Sequence, residues 1–185
     1  MQRALAICEQ QLGPLHPNTA SSLNNLAGLY RAQGKYEQAE LLFQRALAIC
    51  EQQLGPLHPD TASSLNNLAG LYDSQGKYEQ AEPLYQRALA IWEQQLGPLH
   101  PNTATSLHNL ALLYQDQGKY PEAEPLYQRA LAIYEQVLGP EHPHTITIQE
   151  NYAALLQEMN RTDEAFTLLH PAQAKRAENV QTDSV

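Results

Sequence analysis

Apolar residues along the chain fall into stripes of helical period. Between residues 19 and 33, Ala20, Leu23, Leu26, Ala27 and Tyr30 recur so that one helical face is apolar and the rest polar. Gly34–Lys35 interrupts that stripe, and a glycine there suits the left-handed end of a helix. A second stripe follows on Ala39, Leu42, Phe43, Ala46, Cys50 and Leu54. It predicts a longer helix of about 18 residues. Gly55–Pro56 ends it, because proline cannot continue a helix. Pro59 suits the first position of the next helix, where its missing N–H costs nothing. No segment shows the sustained alternation of a strand.

The whole pattern recurs every 42 residues. Gln2–Phe43 and Gln44–Tyr85 differ at five positions: Asn18/Asp60, Arg31/Asp73, Ala32/Ser74, Leu41/Pro83 and Phe43/Tyr85. Gln86–Tyr127 is nearly as close, and Gln128–Leu169 keeps its first half and drifts in its second. Neither helix of a block can bury its stripe alone, but stacked blocks can. The expected fold is therefore all-α, a right-handed α-solenoid of antiparallel helix pairs. Residues 1–13 read as an orphan second helix, with Leu5, Cys8 and Leu12 lacking a first helix to cover them. Residues 14–169 read as the array, with helix pairs over about 17–54, 59–96, 101–138 and 143–170. Residues 171–185 read as a degenerate helix and a frayed tail, Pro171 interrupting the last helix. Pro83 and Pro125 fall inside second helices, where a mild bend is expected and no break.

The large and small residues of each block resemble a tetratricopeptide repeat (TPR). The first block carries Leu23, Leu26, Ala27, Tyr30, Ala39, Phe43 and Ala46. The following blocks repeat the pattern at Leu65, Leu68, Ala69, Tyr72, Ala81, Tyr85 and Ala88, then at Leu107, Leu110, Ala111, Tyr114, Ala123, Tyr127 and Ala130. The usual repeat is about 34 residues. The 42-residue period, with LGPLHP, SLNNLA, QGKYEQAE and QRALAI, resembles the kinesin-light-chain type. Such arrays occur in bacteria, notably cyanobacteria, often beside signalling or nucleotide-binding domains. The resemblance implies a TPR superhelix and leaves the ligand open, since fold does not imply function. In the fourth block Thr162 stands where the first has Tyr36, the mark of a decaying terminal repeat.

Charge narrows the partners. The net charge is −9 and the isoelectric point near 5.1. A phosphate-backbone binder needs clustered Lys and Arg, so no nucleic acid is expected. No apolar run approaches the roughly 18 residues that span a bilayer, so no membrane is expected. The start MQRALAICEQ lacks the basic and apolar segments of a secretory signal, and a cytoplasmic protein is expected.

Little in the chain suggests catalysis or cofactor chemistry. His16, His58, His100 and His142 sit in the same turn of successive blocks. Stacked repeats lie about 10 Å apart, too far for one zinc ion to gather these rings. They read as turn and cap residues, and no metal or other cofactor is expected. Cys8 and Cys50 are also one period apart, beyond disulfide reach, and Trp92 and Tyr134 take their place in later blocks. That position is a packing site. No nucleophile–base signature, phosphate loop or paired catalytic carboxylate stands out, so the chain is expected not to be an enzyme.

The inward face of the first helices is the candidate site. Its expected peptide-binding residues are Asn24, Asn25 and Arg31, then Asn66, Asn67 and Asp73, then His108, Asn109 and Asp116, and finally Glu150 and Asn151. Asn25, Asn67, Asn109 and Asn151 form a ladder in register. A side-chain amide both donates and accepts, so it can clamp an extended backbone without reading its sequence. In TPR domains an asparagine at this place often does so. The alternative is that these amides bond within or between helices. Differences between blocks also concentrate on this face. Arg31, Asp73, Asp116, Glu150 and Glu158 leave it a formal charge of −3. Kinesin light chains favour tryptophan-acidic peptides through a basic groove, and that ligand class does not carry over. The expected partner is a protein or peptide with basic residues, bound by a non-catalytic scaffold. Two alternatives stand beside it: a structural module assembling end to end, and a sensor arm of a larger signalling ATPase.

Overall fold

The computed structural model describes residues 2–170. Nine α-helices follow one another, and no strand occurs among the described residues. They are α1 (Gln2–Leu12), α2 (Pro17–Ala32), α3 (Tyr36–Gln53), α4 (Pro59–Ser74), α5 (Tyr78–Leu96), α6 (Pro101–Asp116), α7 (Tyr120–Leu138), α8 (Pro143–Glu158) and α9 (Thr162–Leu169). The expected tail at 171–185, with Pro171, lies outside the described residues. The helices run through Pro83 and Pro125 without a break.

Each first helix starts by the same device. The Nδ1 atoms of His16, His58, His100 and His142 accept the backbone N–H two residues on, at 3.1–3.2 Å. Proline follows each histidine at the first helical position, where its missing N–H is no loss. A threonine three residues after each histidine donates to the carbonyl of the preceding turn glycine, as Thr61 does to Gly55 at 2.8 Å. Between the helices of a pair the chain needs one left-handed residue. Gly34, Gly76 and Gly118 supply it, and Asn160 supplies it in the last pair at φ 61°. Asparagine is among the few other residues that tolerate this region.

The core is one apolar seam between first and second helices. Ala20, Leu23, Ala46, their counterparts in the next two repeats, and Phe43, Tyr85 and Tyr127 are buried. The fourth repeat fills its core at one position from the column of the buried Ser64 and Ser106. Gln149 occupies the leucine column, and Ile148 fills the core instead at 1% exposure. In α1, Leu5 is not bare as expected but packs on the Ala20–Leu23 cluster. The side chains left uncovered on α1 are Ile7 and Leu12, each 45% exposed. Ile49 occupies the place of Ile7 in the identical segment of α3 and is 2% exposed, because α2 covers it.

The direction of curvature follows from neighbour relations. α2 touches α4, α4 touches α6 and α6 touches α8, whereas α3, α5 and α7 make no such approach to one another. The second helices meet only through long side chains, as in the pairs Arg45–Glu9, Arg87–Glu51 and Arg129–Glu93. The first helices therefore line the inside of the curve.

Candidate functional site

The four asparagines of the ladder do not share one environment. Asn109 Nδ2 donates to Asn66 Oδ1 at 3.0 Å. Asn151 Nδ2 donates to His108 Nε2 at 2.8 Å. Both bonds link one first helix to the next. Asn25 and Asn67 make no hydrogen bond among the described residues. Asn24 Nδ2 turns instead to Ser64 Oγ at 3.0 Å, which leaves Asn24 Oδ1 buried and without a partner. The ladder is thus bonded between α4, α6 and α8 and open between α2 and α4.

The charged residues of the face are also unequal. Burial pushes the Asp73 carboxyl up to about 6; Asp116 adds to this and Arg31 opposes it. Asp73 Oδ1 is buried with no hydrogen-bond partner. Asp116 is exposed and is itself raised, by desolvation and then by Glu158. Arg31 reaches across to the next repeat, where a Cβ added at Gly70 would lie 2.8 Å from its Nη1 and 3.3 Å from Tyr85 Oη. Its guanidinium therefore rests on bare backbone. Glu158 is held by Gln115 Nε2 at 3.1 Å, and Gln115 Oε1 accepts the Tyr127 hydroxyl at 2.7 Å. Glu150 is exposed on α8.

Tyr85 and Tyr127 read from sequence as core residues only. Their rings are buried, yet their hydroxyls reach the groove floor beside Arg31 and Gln115. The signal was the change from Phe43 to Tyr85 and Tyr127 in one column, which adds a hydroxyl to an otherwise apolar site. His108 stands between roles. Its ring packs 5.8 Å from that of Tyr127, and burial, then His144, lowers its pKa to about 4. It is a neutral acceptor for Asn151 at physiological pH.

Outside the groove, Cys8 Sγ accepts the Ser22 hydroxyl at 3.3 Å, and Cys50 lies 3.5 Å from Ser64 Oγ. Both cysteines are free thiols. Among the described residues no group of three or more His, Cys, Asp or Glu could hold a metal ion. No described helix is long and apolar enough to cross a membrane.

Paired helices stacked around a polar concave face define an α-solenoid. The chain belongs to the tetratricopeptide repeat family, whose model matches residues 1–52, 24–94, 60–136 and 107–170. Among solved structures it is similar to a kinesin light chain of nearly identical TPR-like repeats from Podosopora anserina. That match has 31% identity and a TM-score of 0.79, over 88% of this chain and 77% of the other. It is also similar to BtubC (BKLC) from P. vanneervenii, at 25% identity and TM-score 0.76, over 88% of this chain and 65% of the other. Aspartyl phosphate phosphatase F from Bacillus subtilis shares the fold at 16% identity and TM-score 0.74, the match covering 42% of that protein. No curated protein matches the sequence.

Proposed function

We propose that this chain is a non-catalytic scaffold that binds an extended segment of a partner protein in its concave groove. The observation that carries the reading is the charge of that face. Asp73, Asp116, Glu150 and Glu158 stand against Arg31 alone. Such a face favours a ligand with Lys or Arg, steered by a field that salt screens within about 10 Å. Each hydrogen bond to the ligand backbone adds roughly 0.5–1.5 kcal/mol. Three or four such bonds with one charge pair fit a micromolar affinity after ordering costs. The test is capture of partners from the native host by the wild type and by Asp73→Lys/Asp116→Lys. Partners held by the wild type and lost by the variant support the reading. Equal capture by both, at unchanged helicity, refutes it.

A further inference from the structure

The second and third repeats differ at one point of the groove floor. In the third, the Tyr127 hydroxyl donates to Gln115 Oε1 at 2.7 Å, and Gln115 Nε2 donates to Glu158 on the next first helix at 3.1 Å. In the second, the same columns hold Tyr85, Asp73 and Asp116. Tyr85 is 3% exposed, yet its hydroxyl makes no hydrogen bond among the described residues. Asp73 Oδ1 is buried without a partner. Native proteins pair nearly all buried polar atoms, so such orphans at one point call for an explanation. Where the third repeat has a linking amide, the second has a carboxylate, and Asp73 and Asp116 in that relation repel each other. A cation that donates several hydrogen bonds would satisfy all these groups together.

The structure shows what kind of cation fits. Arg31 projects from α2 across to Gly70 on α4. A Cβ added at Gly70 would lie 2.8 Å from Arg31 Nη1 and 3.3 Å from Tyr85 Oη. Glycine inside a helix is costly, and the later repeats have Leu112 and Ala154 in this column. Gly70 thus keeps a bare stretch of backbone on which a planar guanidinium can lie. Arg31 is loosely held there. It is exposed, and it makes no hydrogen bond or ion pair among the described residues. Its charge acts on both Asp73 and Tyr85, opposing the effect of their burial.

We infer that Gly70, Asp73 and Tyr85, with Asp116 opposite, form a subsite for an arginine side chain of the partner, and that Arg31 is its built-in occupant in the free protein. The incoming guanidinium takes the place of Arg31 over Gly70, donates to Asp73 Oδ1 and Tyr85 Oη, and lies between the two aspartates. A guanidinium presents its donors in one plane, whereas an ammonium is a compact point charge, so arginine is favoured over lysine. Arg31 must be displaced and repels the newcomer, so it lowers the affinity. This deepens, and rests on, the groove reading above.

The test uses the full chain and two acetylated, amidated hexapeptides, one alternating Ala and Arg and the other alternating Ala and Lys. Calorimetry gives the affinities, and NMR shifts of backbone amides and tyrosine rings give the map. The arginine peptide should bind more tightly than the lysine peptide and shift Gly70 and Tyr85 to saturation. Arg31→Gln should tighten the arginine peptide about two- to fivefold, the range of an exposed charge contact. Asp73→Asn should weaken it about tenfold, as for a lost charge-assisted hydrogen bond. Tyr85→Phe should weaken it less and still fold, since Phe43 fills that column in the first repeat. Gly70→Ala should weaken it with no change of charge and cancel the gain from Arg31→Gln, a coupling that a general charge effect does not produce. A gain that persists in Gly70→Ala overturns the subsite. So does a loss or no change in Arg31→Gln, a lysine peptide that binds as tightly, or the absence of a saturable response. Saturable shifts elsewhere on the first helices overturn the subsite and leave the groove reading standing. Shifts confined to the outer faces of α3, α5 and α7 overturn both.

Discussion

Asn151 and His108 are joined across two repeats by a 2.8 Å hydrogen bond in which the imidazole Nε2 must be the acceptor, because the amide nitrogen can only donate. Protonation of His108 would break that bond. Burial keeps the ring neutral down to about 4, against 6.5 for an unperturbed histidine. Between pH 6.5 and about 4 the unfolded chain therefore binds a proton that the folded chain does not, and stability falls as pH falls. Asp73 acts with the opposite sign. Its carboxyl titrates near 6 when folded and near 3.8 otherwise, so the folded chain holds the extra proton and stability rises as pH falls through that window. Unfolding free energies should show both slopes. The advantage of wild type over His108→Gln should shrink on acidification from pH 6.5 to 4, by at most about 1.4 kcal/mol per unit. The advantage of Asp73→Asn over wild type should shrink over the same range. Parallel slopes for all three proteins would refute the assignment.

The histidine caps predict a local cost. His58→Ala removes the acceptor for Asp60 N–H and should destabilise the chain by about 1 kcal/mol in urea unfolding. His58→Asn offers an equivalent acceptor and should stay within a few tenths of wild type. Equal losses in both variants would show that the ring matters through packing.

A tyrosine brace ties each second helix to the next first helix. Tyr114 donates to Glu82 Oε1 at 3.0 Å and accepts from Gln86 Nε2 at 3.2 Å. Tyr72 with Glu40 and Gln44, and Tyr152 with Glu124 and Gln128, repeat it. Tyr114→Phe should cost about 1.5 kcal/mol, the range for a hydrogen bond to a charged acceptor. A double-mutant cycle with Glu82→Gln should show coupling, and additivity would mean that the contact is not energetic.

Arg161 anchors the short last helix. Its Nη1 lies 2.8 Å from both carboxylate oxygens of Glu124 on α7, and its Nε and Nη2 reach Glu164 in α9. Arg161→Ala should speed hydrogen exchange in α9 and leave α4 and α5 unchanged. Unchanged exchange in α9 would mean that its apolar contacts alone hold it.

The helices were legible because period, capping histidines and turn glycines all agreed at each boundary. The site was legible only by column. Comparing residues 42 apart identified the asparagine ladder, but the bonds that distinguish its rungs run between residues 43 apart, as in Asn66–Asn109, His108–Asn151 and Gln115–Glu158. Adjacent first helices meet one residue out of register, and that offset comes from how the pairs pack. Ile148 escaped notice for a different reason: it fills the core from a column that holds the polar Ser64 and Ser106 in the preceding repeats. An isolated stripe on α1 does not say which of its sides meets α2, and Leu5 lies on the side that does.

The most direct test of the groove as the binding face is hydrogen-exchange footprinting of the full chain with a partner captured from the native host. Bound partner should slow exchange along the first helices and leave the outer faces of α3, α5 and α7 as they were. Protection confined to those second helices, with the first helices unchanged, would contradict it.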